Sequence, residues 1–468
     1  MIPIAHPTAA LRLLALVPLA LAPLAAQQVV RGPYLQIGTP NSIVVRWRTD
    51  VPTDSAVKFG AEPGRLDREV KTKWKTTEHI VPLEGLTPST KYHYAIGNAE
   101  KMLAGGDAGH AFITSPQHGT RQPIRTWVIG DAGTASAKGN EGLQAKVRDA
   151  YYNFTGVRPT DVFLQLGDNA YSTGTDAEYQ IAVFDMYKDI LRKVVTWPTL
   201  GNHDAGSAMS VTQSGVYYDI FTLPTLGQAG GLMSGTEAYY AFDYGNIHYI
   251  CLDSHYTDRS PTGAMFTWLK NDLASTKQDW IVVYFHHPPY TKGSHDSNTE
   301  RNLVEMRTNA LPIMEAGGVD LCLTGHSHSY ERSFLLDGHY GTQDTLTAKM
   351  KLDAGDGKMD GTGPYKKATL GTGVHEGAVY VVAGSSGKVS GKNEKSAARG
   401  FLDHPAMLVS LAKLGSFVID VDNNKLDATF LSETGERLDY FTMVKGANGK
   451  STNRTTALPA KGAAVSQR

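Results

Sequence analysis

Apolar and polar positions follow one rhythm up to about residue 114 and a different one beyond it. Over 29–114 the pattern is short alternating runs: Ser42-Ile43-Val44-Val45-Arg46-Trp47-Arg48, Ala56-Val57-Lys58-Phe59, His79-Ile80-Val81-Pro82-Leu83 and Lys91-Tyr92-His93-Tyr94-Ala95-Ile96, separated by turn residues. Period-two alternation at this spacing predicts the short strands of an antiparallel sandwich. A polar stretch holding two prolines, 116–123, reads as a linker. Beyond it, apolar runs of strand length alternate with helical periodicity over 140–152, 176–192, 264–277 and 300–316. That alternation predicts an α/β domain over 124–445, with βαβ units and layered sheets flanked by helices. Its close reads as a hairpin of Ser416-Phe417-Val418-Ile419-Asp420 and Ala428-Thr429-Phe430-Leu431. Residues 349–377, rich in Gly, Asp and Lys, lack an apolar period and are expected to form a long surface loop; 446–468 is expected to be a flexible tail.

The length of 468 residues agrees with this division, because one hydrophobic core seldom organises so long a chain. The expected plan is two domains, an all-β sandwich over 27–115 and the α/β domain. Charge adds little: 45 Lys and Arg stand against 46 Asp and Glu, so no general pull toward nucleic acid or membrane is expected. The first 26 residues hold Arg12, an apolar run over 13–22 and small residues at Ala25 and Ala26. This is the pattern of a cleaved signal peptide, too short for a membrane span, and it predicts a secreted or periplasmic protein. Cys251 and Cys322, the two cysteines, each lie inside an apolar strand-like run and are expected to be buried free thiols, with neither disulfide-framework nor metal-site spacing.

Five apolar runs of the second domain end in residue types that bind metals. They deliver Asp131-Ala132-Gly133, Gly167-Asp168-Asn169-Ala170-Tyr171, Gly201-Asn202-His203-Asp204, His286-His287-Pro288-Pro289 and Gly325-His326-Ser327-His328. The carboxyl ends of α/β strands line one crevice, so residues far apart in the chain can converge there. A single Asp after a strand is usually a turn former or helix cap, and a single buried His is usually a satisfied core residue. Five such endings in one domain reverse that reading.

In this order, Asp-x-Gly, Gly-Asp-x-x-Tyr, Gly-Asn-His-Asp, Val-x-x-His and Gly-His-x-His resemble the purple acid phosphatase version of the metallophosphoesterase, or calcineurin-like phosphoesterase, family. The resemblance continues upstream. Pro33-Tyr34-Leu35-Gln36 is similar to the N-terminal module of the larger members, and the stretch from Gly85 to Tyr94 is similar to the corner of fibronectin type III domains, where a tyrosine packs near a buried Trp, here Trp47. The resemblance implies that Asp131, Asp168, Tyr171 and His328 hold one metal ion, and Asp168, Asn202, His286 and His326 the other, with Asp168 as the bridge. A phenolate and two carboxylates suit a hard ion such as Fe(III); imidazoles and an amide suit Zn, Fe(II) or Mn(II). The implied activity is acid phosphatase: in-line attack of a metal-bound hydroxide on phosphate monoesters. The implied catalytic residues are His203, a phosphate contact, and His295, a substrate-binding proton donor. Asp204 is expected to orient His203 or another imidazole, with a helix-cap or turn role of nearly equal weight, and His287 to serve strand packing or the Pro288-Pro289 turn. Tyr330, Glu331 and Arg332 have a substrate-side reading and a structural one of equal weight.

Two other readings share these residues. One is a phosphodiesterase or nucleotide hydrolase, distinguished by the room around the site, which 349–377 could supply or block. The other is a secreted binding protein with a non-catalytic metal domain, against which stands the intact set of seven ligand positions. The sandwich is expected to act as a structural or homodimerisation module, the partners to be phosphate-ester small molecules.

Overall fold

In the computed structural model the described residues are 1–3, 27–135, 137–140, 142–390 and 404–446. The expected signal peptide and the tail beyond Gly446 lie outside them. The first domain is a six-stranded all-β unit around its own core, which holds Trp47, Val57, Phe59, Tyr94 and Phe112. Two of the expected strands are one: Ile43–Gly60 runs without a break, pairing with Arg68–Leu83 along its length, with Val29–Gln36 in its first half and with Lys91–Gly97 in its second. Asp50 and Pro52 read as turn residues, but register shifts in the pairing with Arg68–Leu83 absorb them. The corner closes as its residues foretell, since Thr87 N donates to the Tyr92 hydroxyl at 3.0 Å. The ring stacked on Trp47 is His79, 4.5 Å away, rather than a tyrosine.

The second domain packs two mixed seven-stranded sheets face to face. One runs Tyr365–Lys367, Arg437–Lys445, Lys425–Ser432, Gly415–Asp422, Ile124–Ile129, Val162–Gln165, Thr196–Pro198; the expected hairpin is its centre. The other runs Tyr240–Tyr244, Ile247–Cys251, Trp280–Phe285, Leu321–Thr324, Val379–Ala383, Tyr330–Ser333, Met407–Leu411. Their parallel strands, such as Ile124–Ile129, Val162–Gln165, Trp280–Phe285 and Leu321–Thr324, are buried at every position, as strands covered on both faces are. Trp197 stacks on Phe242 at 3.8 Å and Tyr330 on Phe430 at 4.0 Å across the inner layer, while Trp127 stacks on Tyr151 of helix Leu143–Thr155 at 4.1 Å outside it. Cys251 and Cys322 are buried free thiols on strands separated by Trp280–Phe285. No helix among the described residues is long and apolar enough to cross a membrane.

Arginines join the domains. Arg48 forks onto Asp176 at 2.6 and 2.8 Å, Arg31 reaches Gln180 at 2.7 Å, and Arg46 reaches Thr222 at 2.9 Å. The linker lies on the second domain, with Arg121 paired to Asp279 at 2.6 Å. Residues 349–377 are tied down as well: Tyr365–Lys367 adds a strand beside Arg437–Lys445, and Lys367 pairs with the buried Asp320 at 2.6 Å. Asp320 precedes strand Leu321–Thr324, so this segment packs at the amino end of that strand, away from the end where the expected ligand residues emerge.

His248, fully buried, is clamped by Asp243 at 2.6 Å and Asp272 at 2.8 Å. Burial alone would lower its pKa, but the two carboxylates outweigh it and push it up to about 9. A histidine with a raised folded-state pKa contributes its full stability below its unfolded value of 6.5 and loses it as pH rises through about 9. Denaturant unfolding is therefore expected to show a contribution of about 3 kcal/mol disappearing between these pH values, and the difference to vanish in His248→Gln.

Candidate metal centre

The cleft opens where parallel strands of both sheets end together. Ile124–Ile129, Val162–Gln165 and Thr196–Pro198 run parallel in one sheet and lead to Asp131, Asp168 with Tyr171, and Asn202. Trp280–Phe285 and Leu321–Thr324 run parallel in the other and lead to His286, His326 and His328. The chain turns abruptly at these ends: Asp131, Asp168 and His326 adopt positive φ of 53°, 52° and 65°. Such conformations cost a non-glycine residue about 1–3 kcal/mol and persist where surrounding bonds over-determine them. Those bonds are present, since His326 N donates to Asp131 Oδ2 at 2.7 Å and His203 N to Asp168 Oδ1 at 2.9 Å.

All seven expected ligand residues come together, in two groups that share Asp168. In the first, the Tyr171 hydroxyl lies 2.9 Å from Asp168 Oδ2, 3.3 Å from Asp131 Oδ1 and 3.4 Å from His328 Nε2. In the second, Asn202 Oδ1 lies 3.0 Å from His286 Nε2 and 2.9 Å from His326 Nδ1, and His286 Nε2 lies 3.4 Å from Asp168 Oδ1. Donor atoms on bonds of about 2.0–2.2 Å to a common ion subtend separations of about 3.0–3.4 Å. The donors thus fit two cations, with one carboxylate oxygen of Asp168 facing each. The ring tautomers suit them too: His286 Nδ1 lies 2.8 Å from Leu166 O and His328 Nδ1 bonds Ser390 Oγ, leaving the Nε2 lone pairs directed inward.

The charges ask for the same thing. Burial, then the carboxylates of Asp168 and Asp131, holds the Tyr171 phenol far above its ordinary pKa, so its ionisation needs a strong local positive charge. Burial pushes the Asp131 carboxyl up. Asp168 is as deeply buried, but the charge and hydrogen bond of His286 outweigh that burial and hold it well below the usual range. Burial would lower His286, yet Asp168 and Asp131 push it up to about 9.

Around this centre the expected catalytic histidines take different positions. His203 packs its ring 4.3 Å from that of Tyr171, with Nδ1 2.6 Å from Ser172 O and Nε2 3.9 Å from Asp168 Oδ2. His295 stacks on His326 at 3.7 Å, and its Nδ1 lies 2.9 Å from Glu300 Oε2. Glu300 also stands 3.5 Å from His326 Nε2 and accepts from Asp296 N at 2.8 Å. Burial would raise its pKa, but the bonds from His295, His326 and Asp296 N hold it far below the usual range. In the sequence Glu300 only opens the helical pattern 300–316; its place five residues after His295 is the available signal.

Other expectations are corrected. For Asp204 the turn role is the one observed: it accepts from Asn169 N, Gly201 N and the Tyr179 hydroxyl at 3.0, 2.9 and 2.6 Å, so it fastens the Asp168 turn to the Asn202 turn, and among the described residues it bonds no imidazole. His287 is closer to the centre than its packing role implied, lying 4.4 Å ring to ring from His326 with Nδ1 2.9 Å from Ser254 Oγ. Tyr330 and Arg332 turn away from the cleft to Asp439, at 2.8 and 2.6 Å. Glu331 supports the site from beneath: it accepts from Thr291 Oγ1 at 2.5 Å and Ser329 Oγ at 3.0 Å, tying the loop before His295 to the turn of His326 and His328.

Comparison with known proteins adds relatives to this geometry. Residues 124–330 match the calcineurin-like phosphoesterase family, and residues 30–117 match the purple acid phosphatase N-terminal domain. Acid phosphatase type 7 of Homo sapiens is 27% identical over 350 residues, which span 66% of this chain and 72% of that protein. Purple acid phosphatase 18 of Arabidopsis thaliana is 26% identical over 314 residues, 64% of this chain and 65% of that protein. In fold, the chain is similar to purple acid phosphatase PPD1 from yellow lupin (Lupinus luteus) seeds, with a TM-score of 0.63 and 18% identity over 89% of this chain and 75% of that one. It is similar also to PhoD, at 0.60 and 14% identity over 88% of both.

Proposed function

Because this chain belongs to the purple acid phosphatase branch of the calcineurin-like phosphoesterases, metal-dependent phosphoric ester hydrolases, we propose that it hydrolyses phosphate monoesters at a two-metal centre in the cleft between its sheets. The observation that carries this reading is the pair of donor groups sharing Asp168, spaced for two adjacent cations. Asp131, Asp168, Tyr171 and His328 would hold Fe(III), since a phenolate and carboxylates suit a hard ion; Asp168, Asn202, His286 and His326 would hold Zn, Fe(II) or Mn(II). Bound there, the pair supplies Lewis acidity to the phosphoryl oxygens and to the attacking water.

The chain's own groups do the rest. Ser172 O accepts from His203 Nδ1, which leaves His203 Nε2 to meet a phosphoryl oxygen. Glu300 accepts from His295 Nδ1 and so fixes the ring, leaving Nε2 as the atom that would give a proton to the departing alkoxide. His295→Ala is expected to keep its metals and to lose turnover by about 10²–10⁴-fold on alkyl phosphates, whose leaving groups need that proton, and far less on nitrophenyl phosphate. Equal losses on both would remove the proton-donor role.

The deciding experiment is metal analysis and a visible spectrum of the purified protein, followed by hydrolysis of a chromogenic monoester and its diester analogue. Iron, a visible band lost in Tyr171→Phe, and faster monoester turnover are expected. A colourless, iron-free enzyme that prefers the diester would overturn both the metal and the substrate. We also infer export from the 1–26 segment, to be read from the N-terminus of the mature protein.

A further inference from the structure

One more strand end reaches the cleft. Val379–Ala383 runs parallel beside Leu321–Thr324, and the segment after it, 384–390, is bonded into the centre. Gly384 N donates to Ser329 O and Ser386 N to Gly130 O, both at 3.1 Å, and Thr134 Oγ1 donates to Gly387 O at 2.9 Å. Ser390 Oγ meets His328 Nδ1. Between these anchors, Lys388 lies over the Tyr171 ring with Nζ 4.1 Å from its centroid. Among the described residues no carboxylate forms an ion pair with Lys388. Among the described residues its half-buried ammonium meets the ring face and no paired carboxylate, so an arriving anion would supply a charged partner.

The geometry points to Lys388 as a substrate-binding cation that takes a non-bridging phosphoryl oxygen and sets the preference for dianionic monoesters over monoanionic diesters. This rests on the phosphoesterase reading and names its specificity residue. A monoester carries close to two negative charges at neutral pH and a diester one, so an added cation at the phosphoryl group favours the monoester. For one extra charge pair in a partly buried setting the expected preference is about tenfold.

The test uses metal-loaded wild type, Lys388→Met and Lys388→Arg, titrated calorimetrically with inorganic phosphate and with dimethyl phosphate, alongside kcat/KM for the monoester and diester. Lys388→Met is expected to keep its metals, to bind inorganic phosphate about tenfold more weakly while dimethyl phosphate changes little, and to lower the monoester-to-diester ratio to match; Lys388→Arg should restore most of both. Unchanged phosphate affinity in Lys388→Met, equal weakening of both ligands, or loss of metal from that variant would each overturn the assignment. A wild type that cleaves only diesters would instead defeat the monoesterase reading, and the phosphate titration would still decide the role of Lys388.

Discussion

Asp168→Asn is expected to empty both metal positions and to reduce turnover on the order of 10³-fold or more, the scale of losing charge stabilisation at the reacting phosphoryl group. The substitution barely changes shape, so the argument is about lone pairs. One oxygen of Asp168 faces the Tyr171 hydroxyl at 2.9 Å and the other faces His286 Nε2 at 3.4 Å. An amide keeps one acceptor and puts an N–H toward the other donor group, where it repels a cation. Elemental analysis after dialysis reads the outcome directly. Retention of two tightly held ions by the variant would sink the bridge; Asn202→Ala, which touches one group alone, should weaken one ion and spare its neighbour.

Asp439→Ala is expected to cost about 3–5 kcal/mol of stability, the penalty for stranding a buried charge. Asp439 accepts from Arg332 Nε at 2.6 Å, from Arg332 Nη2 at 3.0 Å and from the Tyr330 hydroxyl at 2.8 Å, and the Arg332 side chain is 0% exposed. The contact ties strand Tyr330–Ser333 of one sheet to strand Arg437–Lys445 of the other. Removing the carboxylate leaves the guanidinium with the Tyr365 hydroxyl, at 3.2 Å, and the face of Phe441. Denaturant unfolding measures the loss. A cost below about 1 kcal/mol would mean that the sheets part enough to hydrate Arg332.

The seven convergent residues were legible because each follows a buried apolar run, and parallel strands bring their carboxyl ends to one edge whatever lies between them. Val379-Tyr380-Val381-Val382-Ala383 is another such run, yet the serines and glycines after it carry no recognised ligand, so Lys388 and Ser390 passed unnoticed. Glu300 was hidden for a related reason: its meaning depends on two imidazoles that only the folded chain sets beside it. In the first domain, residues 68–76 escaped notice because their alternating charged and polar positions face solvent on both sides; pairing with Ile43–Gly60 alone makes them a strand. The partnership of Arg332 and Asp439, 107 residues apart, leaves no local trace.

Cys251 and Cys322 are fully buried, and one strand lies between theirs, which sets their backbones about 10 Å apart, beyond the roughly 7 Å that a disulfide can span. The fold is accordingly indifferent to the thiol poise of the compartment in which it is made. Recombinant production in a reducing bacterial cytosol, with metal added during growth or afterwards, needs no oxidative machinery and leaves no mispaired sulfurs to sort out.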